Sequence, residues 1–350
     1  VISNKAINMI KGRGYLQNSQ RSKSQFEQSL EMLLSSLCVL VAASASCFLA
    51  EADTIPSLCS LESTDITSGQ WKVVLNEEFD GDKLNSSLWT ARTTAEVGHE
   101  NELQYYLPQN AEVSEGFLVI SSLQQDKNGK NYTSAWVDSS GKLGVQYGRV
   151  CVRAMLPANR SGFWPAHWMM PAVAEACWPG LGEVDILEML NGDGGAHGSY
   201  HYSQYYADDK CSGVQQTSTG VGVLGDRTFD GGFHEYAVEW SADKLTFYVD
   251  SRPYLSTYPT DKYNEGVPHV PMFLILNSAL GGWAGPVHAD TAFPIQHVVD
   301  YVRVLQDTSE SQSRFVTPGE TPADEELAAD QRRVLKERHR SRQQHFGMRN

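Results

Sequence analysis

Between Gly182 and Met189 the chain reads Glu183-Val184-Asp185-Ile186-Leu187-Glu188, three carboxylates within six positions with apolar side chains between them. In a strand successive side chains alternate faces, so Glu183 and Asp185 share one face while Val184 and Ile186 take the other. Glu188 is then out of phase. One extra residue, a β-bulge at Ile186-Leu187, would return it to the acidic face. Two carboxyls held about 5–5.5 Å apart equip a retaining glycosidase, one as nucleophile and the other as proton donor. Asp185, beside both, would tune them by charge and hydrogen bonding. The competing readings are a solvated acidic face and a calcium site. Charges on exposed strands usually mix signs, and calcium prefers loop ligands separated by Gly and Asn. Val and Ile between the acids fit neither pattern.

The elements that must position these acids are strands. From Trp71 to Gln306 no helical period emerges. Short β-rich runs recur at Trp71–Phe79, Glu112–Ser122, Tyr147–Leu156, His234–Trp240, Lys244–Asp250, Val270–Asn277 and Val298–Leu305, with Gly, Asn, Asp and Pro between them. Within His234–Trp240, Tyr236, Val238 and Trp240 alternate with Glu235 and Glu239, as a strand with one buried face requires. Such a run of strands implies a sandwich or barrel.

A hydrophobic fraction of 41% in 350 residues is enough for a sizeable core. The net charge of −14 argues against nucleic acid or an anionic membrane as partner. Residues 1–31 are polar and mildly basic and read as upstream or unstructured sequence. From Leu33 to Ala50 the chain is apolar and rich in small residues, with Ala50-Glu51-Ala52 as a small-x-small cleavage site. Residues 32–52 therefore read as a secretory signal peptide, and the rival is a signal anchor at 33–50 holding the protein to a membrane. Residues 53–69 read as a linker, 70–306 as the folded domain and 307–350 as a charged, partly helical or disordered tail with a helix start at Thr321-Pro322. Cys59, Cys151, Cys177 and Cys211 lie outside the apolar segment, an even number suited to an oxidising compartment. Cys177 and Cys211 flank the acidic stretch and are the expected bridge. Sequons occur at Asn85, Asn131 and Asn159.

Glu-Val-Asp-Ile-Leu-Glu resembles the signature of glycoside hydrolase family 16, in the bulged form of laminarinase-like β-1,3-glucanases. The flanks agree: Tyr147-Gly148-Arg149, Gly162-Phe163-Trp164-Pro165-Ala166-His167-Trp168, Trp178-Pro179, His201-Tyr202 and Asn101-Glu102-Leu103-Gln104. The resemblance covers roughly residues 70–306. It implies an all-β jelly-roll sandwich of concanavalin A-like type with a curved sheet forming a cleft. It also implies Glu183 as nucleophile, Glu188 as acid/base, and a β-glucan polysaccharide as partner. Sugar rings present apolar faces to aromatic platforms, and the resemblance places Trp164, Trp168 and Trp178 in the cleft with His201, Asn101 and Arg149. Arg149 has a sheet ion pair as its alternative, and a Trp at any of these places can be core. Trp283, in Gly281-Gly282-Trp283, falls in a loop that carries a sugar-contacting aromatic in the family. No cofactor is implied for catalysis; a structural Ca²⁺ held by Asp300 is.

The function expected is a secreted, monomeric, retaining endo-β-1,3-glucanase. The alternatives are a transglycosylase, a hydrolase of mixed-linkage glucan or galactan, and a non-catalytic glucan-recognition protein. Such binders generally lack the catalytic acids present here.

Overall fold

Side-chain alternation along short strands decides the architecture. The computed structural model describes residues 57–61, 70–94, 101–172, 178–179, 181–203, 216–218, 222–224, 232–258, 267–310 and 313–316. Among these residues, two sheets of ten strands each make a jelly-roll sandwich. The first sheet runs from Arg252–Thr257 at one edge through Leu245–Val249, Phe233–Trp240, Gly148–Met155, Ile295–Asp307, Phe117–Lys127 and Lys130–Ser134 to Gln104–Tyr106. The second has Ala196–Ser203, Glu183–Glu188, Phe163–Pro171, Met272–Leu280 and Trp136–Asp138 as consecutive neighbours. Strands remote in sequence lie side by side: Phe163–Pro171 pairs with Met272–Leu280 along its whole length. Each of the expected β-rich runs forms strand, and Glu112–Ser122 is divided by a turn at Glu115-Gly116, where both residues have positive φ.

The core lies between the sheets. In Gly148–Met155, Val150, Val152 and Ala154 enter it, while Cys151 joins a smaller apolar cluster with Cys59, Trp71 and Ala237 on the outer face. The segment expected as a linker is partly built into that outer face. Cys59 is bonded to Cys151. The Leu58 N–H donates to Glu235 Oε1 at 2.7 Å, and the hydroxyls of Tyr301, at 2.7 Å, and Ser57 donate to Oε2. A buried carboxylate is tolerated where such donors satisfy it. Past residue 306 the domain continues as well, since Arg314–Val316 pairs with Gly144–Gln146. Cys177, Cys211, the apolar segment 33–50 and the rest of the tail lie outside the described residues.

The disulfide closes a sequence separation of 92 residues, and chain-entropy reasoning values such a closure at about 4.5 kcal/mol. Cys59→Ser should therefore lower the melting temperature by many degrees, while activity well below the melt persists because the bond sits on the face away from the acids. Equal melting with and without reductant would contradict this.

Two histidines join the sheets inside the core. His167 Nε2 and His297 Nε2 are 2.9 Å apart, and His297 Nδ1 is 3.2 Å from the Ser278 hydroxyl. Burial holds His297 down to about 3 and His167 well below its ordinary value. Unfolded, both take up a proton near pH 6.5. Between there and pH 3 the unfolded state binds more protons than the folded one, so stability falls as pH is lowered through that window. Denaturant unfolding should show a loss on the order of 1 kcal/mol per pH unit for each histidine. A His297→Leu variant that folds should show a shallower slope, and an unchanged slope would remove the pair as the cause.

Candidate active site

The bulge falls where the phase of the acids requires it. Asp185 lies opposite Trp168 and Glu188 opposite Ala166, so three steps on the acidic strand meet two on its neighbour. On the other side Asp185 pairs with Ser199 and Glu188 with His197, again one residue short. Ile186 and Leu187, consecutive in sequence, are both sealed in the core with Val184 and Met189. That anchoring turns Glu183, Asp185 and Glu188 to the same face. Pro165 interrupts no ladder bond that the acidic strand needs, because it lies opposite Met189, past the strand end, whose N–H donates to the Pro165 carbonyl at 3.2 Å.

Each acid has its own partners. Trp178 Nε1 donates to Glu183 Oε2 at 2.7 Å, and Trp164 Nε1 donates to Glu188 Oε1 at 2.9 Å. The Ser199 hydroxyl donates to Asp185 Oδ2 at 2.8 Å and lies 3.4 Å from Glu188 Oε2. His201 Nε2 stands 3.0 Å from the same Asp185 oxygen.

These contacts set the charges. Burial, then the charge of Asp185, pushes Glu183 up to about 8, while His201 and the Trp178 N–H pull it back. Burial and Asp185 push Glu188 well above the carboxylate range; the Trp164 N–H and Ser199 oppose them, and the charge of Glu183 adds to the rise. The two histidines across from the glutamates differ. Burial disfavours charge on His201, but its bond to Asp185 and the charges of Asp185 and Glu183 outweigh it and raise its pKa. His197, opposite Glu188, is lowered by burial, which the charge of Asp193 only partly offsets. The histidine across from Glu183 is thus favoured toward its charged form, and the one across from Glu188 toward its neutral form. Carboxyls this close do not all ionise together, and this asymmetry favours the anion on Glu183 and the proton on Glu188.

A family model for glycosyl hydrolases family 16 matches residues 82–303. The chain belongs to that family. It is 35% identical to a beta-glucanase of Rhodothermus marinus over 266 residues, covering 71% of this chain and 90% of that protein. It is 30% identical over 273 residues to the glucan endo-1,3-beta-glucosidase A1 of Niallia circulans, covering 70% of this chain but only 39% of that longer protein. Among solved structures, the catalytic domain of an endo-1,3-beta-glucanase (laminarinase) from Thermotoga petrophila RKU-1 aligns with a TM-score of 0.58 and 34% identity. That alignment covers 68% of this chain and 99% of that one.

Around the acids of this family 16 hydrolase the aromatic side chains form two groups. At the Glu183 end the Trp178 and His201 rings are 6.1 Å apart, and at the Glu188 end Trp283 stands edge-on to Trp164 at 5.9 Å and to His197 at 5.3 Å. Trp178 and Trp283 keep 47% and 41% of their surface exposed, enough to offer a ring face to a ligand. Trp168 shares the acid face and is fixed by its Nε1 donating to Asn277 Oδ1 at 2.8 Å. Asn101 is exposed, with φ at 69°, and its carbonyl accepts from the Gly282 N–H at 3.1 Å, so it braces the turn that carries Trp283.

Two expected site residues are placed elsewhere. Arg149 sits on the outer face of the first sheet, where it pairs with Glu239 at 2.7 Å and covers the Trp71 ring at 4.0 Å. Its strand belongs to the sheet that does not carry the acids, so of the two readings of Arg149 the ion pair is the one realised. Asp300 sits beside a register irregularity in Ile295–Asp307 and is ion-paired with Arg153. A guanidinium already on the carboxylate opposes a calcium ion, and no cluster of three ligating side chains includes Asp300 among the described residues. These residues do not fit the metal. Among the described residues, apart from the disulfide-bonded Cys59 and Cys151 beside Glu235, the ligating side chains that gather closely are Glu183, Asp185 and His201, whose ligand atoms lie within 4.8 Å of one another. Trp178 and Ser199 already serve these acids.

Sequence reasoning missed Ser199, His197 and Asn277. The first two lie two and four residues before His201, so strand period alone puts them on its face. Asn277, a lone amide in an apolar run, accepts from Trp168 and donates to the Tyr106 hydroxyl at 3.0 Å.

Proposed function

We propose that this family 16 hydrolase is a retaining endo-β-1,3-glucanase acting on laminarin-type glucans, with Glu183 as nucleophile and Glu188 as acid/base. The observation that carries the roles is the charge asymmetry across the acidic strand, with the histidine opposite Glu183 raised in pKa and the one opposite Glu188 lowered. Glu183, favoured as the anion, attacks the anomeric carbon. Glu188, holding its proton, donates it to the leaving oxygen and then takes one from the water that opens the glycosyl–enzyme. Asp185 keeps Glu188 protonated by its charge and steadies His201. The exposed rings of Trp178 and Trp283, one at each end of the acidic face, suit a polymer lying across it and hence internal cleavage. The linkage comes from the relatives, two of which bear endo-1,3-β-glucan names. The Cys59–Cys151 bond supports export to an oxidising compartment.

Product analysis on laminarin, lichenan and agarose tests the reading. Laminarin should fall first to oligosaccharides of intermediate length, with the β-anomer formed first by NMR. Faster cleavage of agarose would assign the protein another glycan, and an initial α-anomer would overturn retention.

A further inference from the structure

Gly198 occupies the point where the catalytic bulge meets its neighbouring strand. It lies between Ser199, opposite Asp185, and His197, opposite Glu188, so Ile186 and Leu187 together face this one residue. A Cβ on Gly198 would stand 2.4 Å from the Tyr254 hydroxyl oxygen, 3.1 Å from Tyr254 Cζ and 3.0 Å from Phe247 Cδ1. Its φ is not in the left-handed region. Room, and not backbone freedom, is what the glycine supplies here.

The group using that room comes from the opposite sheet. Tyr254 belongs to the edge strand Arg252–Thr257 and packs on the core with its ring 6.4 Å from that of Phe247. Its hydroxyl therefore ends against Gly198 from the core side, beneath the bulge. That oxygen is buried and has no hydrogen-bond partner among the described residues. Buried hydroxyls are nearly always satisfied, so one left open under catalytic carboxyls calls for a reason. Burial, then the charges of Asp185 and Glu188, raise the Tyr254 pKa, which keeps the phenol neutral.

We propose that Tyr254 and Gly198 are positioning residues of the catalytic pair: the glycine leaves a gap beneath the bulge, and the Tyr254 hydroxyl in that gap fixes the height of Glu188 and supports its ionised form. This rests on the reading of Glu188 as acid/base. In the second half of the reaction Glu188 must hold a negative charge beside Glu183 and Asp185 on its own strand. On the neighbouring strand it has the Ser199 hydroxyl, 3.4 Å from its Oε2 and shared with Asp185, neutral His197 and, farther along, His201; from Phe163–Pro171 it has only the Trp164 N–H. The Tyr254 phenol, against Gly198 on the core side of the bulge, is a further polar group beside that charge.

Tyr254→Phe keeps the ring and removes the hydroxyl. The expected result is that the basic limb of kcat/KM against pH moves up by about half a pH unit or more, with kcat lowered severalfold. A purely structural tyrosine would lower the melting temperature and leave the limb in place. Gly198→Ala should lose at least about tenfold in activity by overpacking, and Gly198→Ala/Tyr254→Phe should recover part of it, because the closest overlap is gone. If Gly198→Ala does not fold, the Tyr254→Phe profile decides alone. An unmoved limb in folded Tyr254→Phe, with azide rescue of Glu188→Ala intact, overturns the inference and leaves the role of Glu188 standing. Failure of that rescue would bring down the reading beneath it as well.

Discussion

Glu188→Ala is expected to lower hydrolysis of laminarin by roughly 10²–10⁴-fold, the usual worth of a general acid, while aryl β-glucosides with good leaving groups still form the glycosyl–enzyme. The leaving phenolate needs no proton, and Glu183 retains its Trp178 N–H and the nearby His201. Without a base, water opens the intermediate slowly. Added azide needs no base, so it should restore turnover and give the β-glycosyl azide after two inversions. Glu183→Ala should lose at least as much, since no intermediate can form. Azide then enters the cavity left by the carboxylate and attacks directly, giving the α-azide in a single inversion. Both variants should still bind laminarin, because Trp178 and Trp283 are untouched. NMR of the azide products decides, and an α-azide from Glu188→Ala with a β-azide from Glu183→Ala would reverse the roles.

Asp185→Asn should keep the shape of the site and shift its pH dependence. The charge of Asp185 raises both glutamates, second only to burial in each case. Removing it lowers the pKa of Glu188, which then loses its proton at lower pH. The basic limb of kcat/KM should move down by about one pH unit. The acidic limb should move less. Glu183 also loses a neighbouring negative charge, but His201 loses the partner that raises its own pKa and with it part of the positive charge that favours the Glu183 anion. The active window therefore narrows from its basic side, and activity at the former optimum falls, though less than on losing either glutamate. A basic limb that stays in place would mean that Asp185 acts only through its hydrogen bonds to Ser199 and His201.

How much of this site was legible in the sequence depends on whether a feature is local. The phase of Glu183, Asp185 and Glu188 is a property of one strand. An odd spacing between acids, with apolar residues on both bulge positions, already demanded an extra residue at Ile186-Leu187, and the register shows it there. The strand runs and the alternation of Tyr236, Val238 and Trp240 were legible for the same reason, because the period of two needs no partner. The tryptophans just upstream of the acids came with the motif that carries them.

Pairing was not legible. Cys151 meets Cys59, and Arg149 meets Glu239, because Gly148–Met155 joins the first sheet and turns its odd-numbered residues outward. Nothing along that strand says which sheet it joins. The difference between His197 and His201 arises in the same way: both lie on one face, but register sets one beside Asp185 and the other beside Glu188 under burial. Tyr254 reaches the bulge from a strand of the opposite sheet, nearly seventy residues on in the chain, through a gap that only the stacking of two sheets defines. By itself the sequence determined which side chains share a face, since that follows from backbone geometry within a few residues. Tertiary structure decided which faces meet, because register and sheet order depend on burying every strand at once.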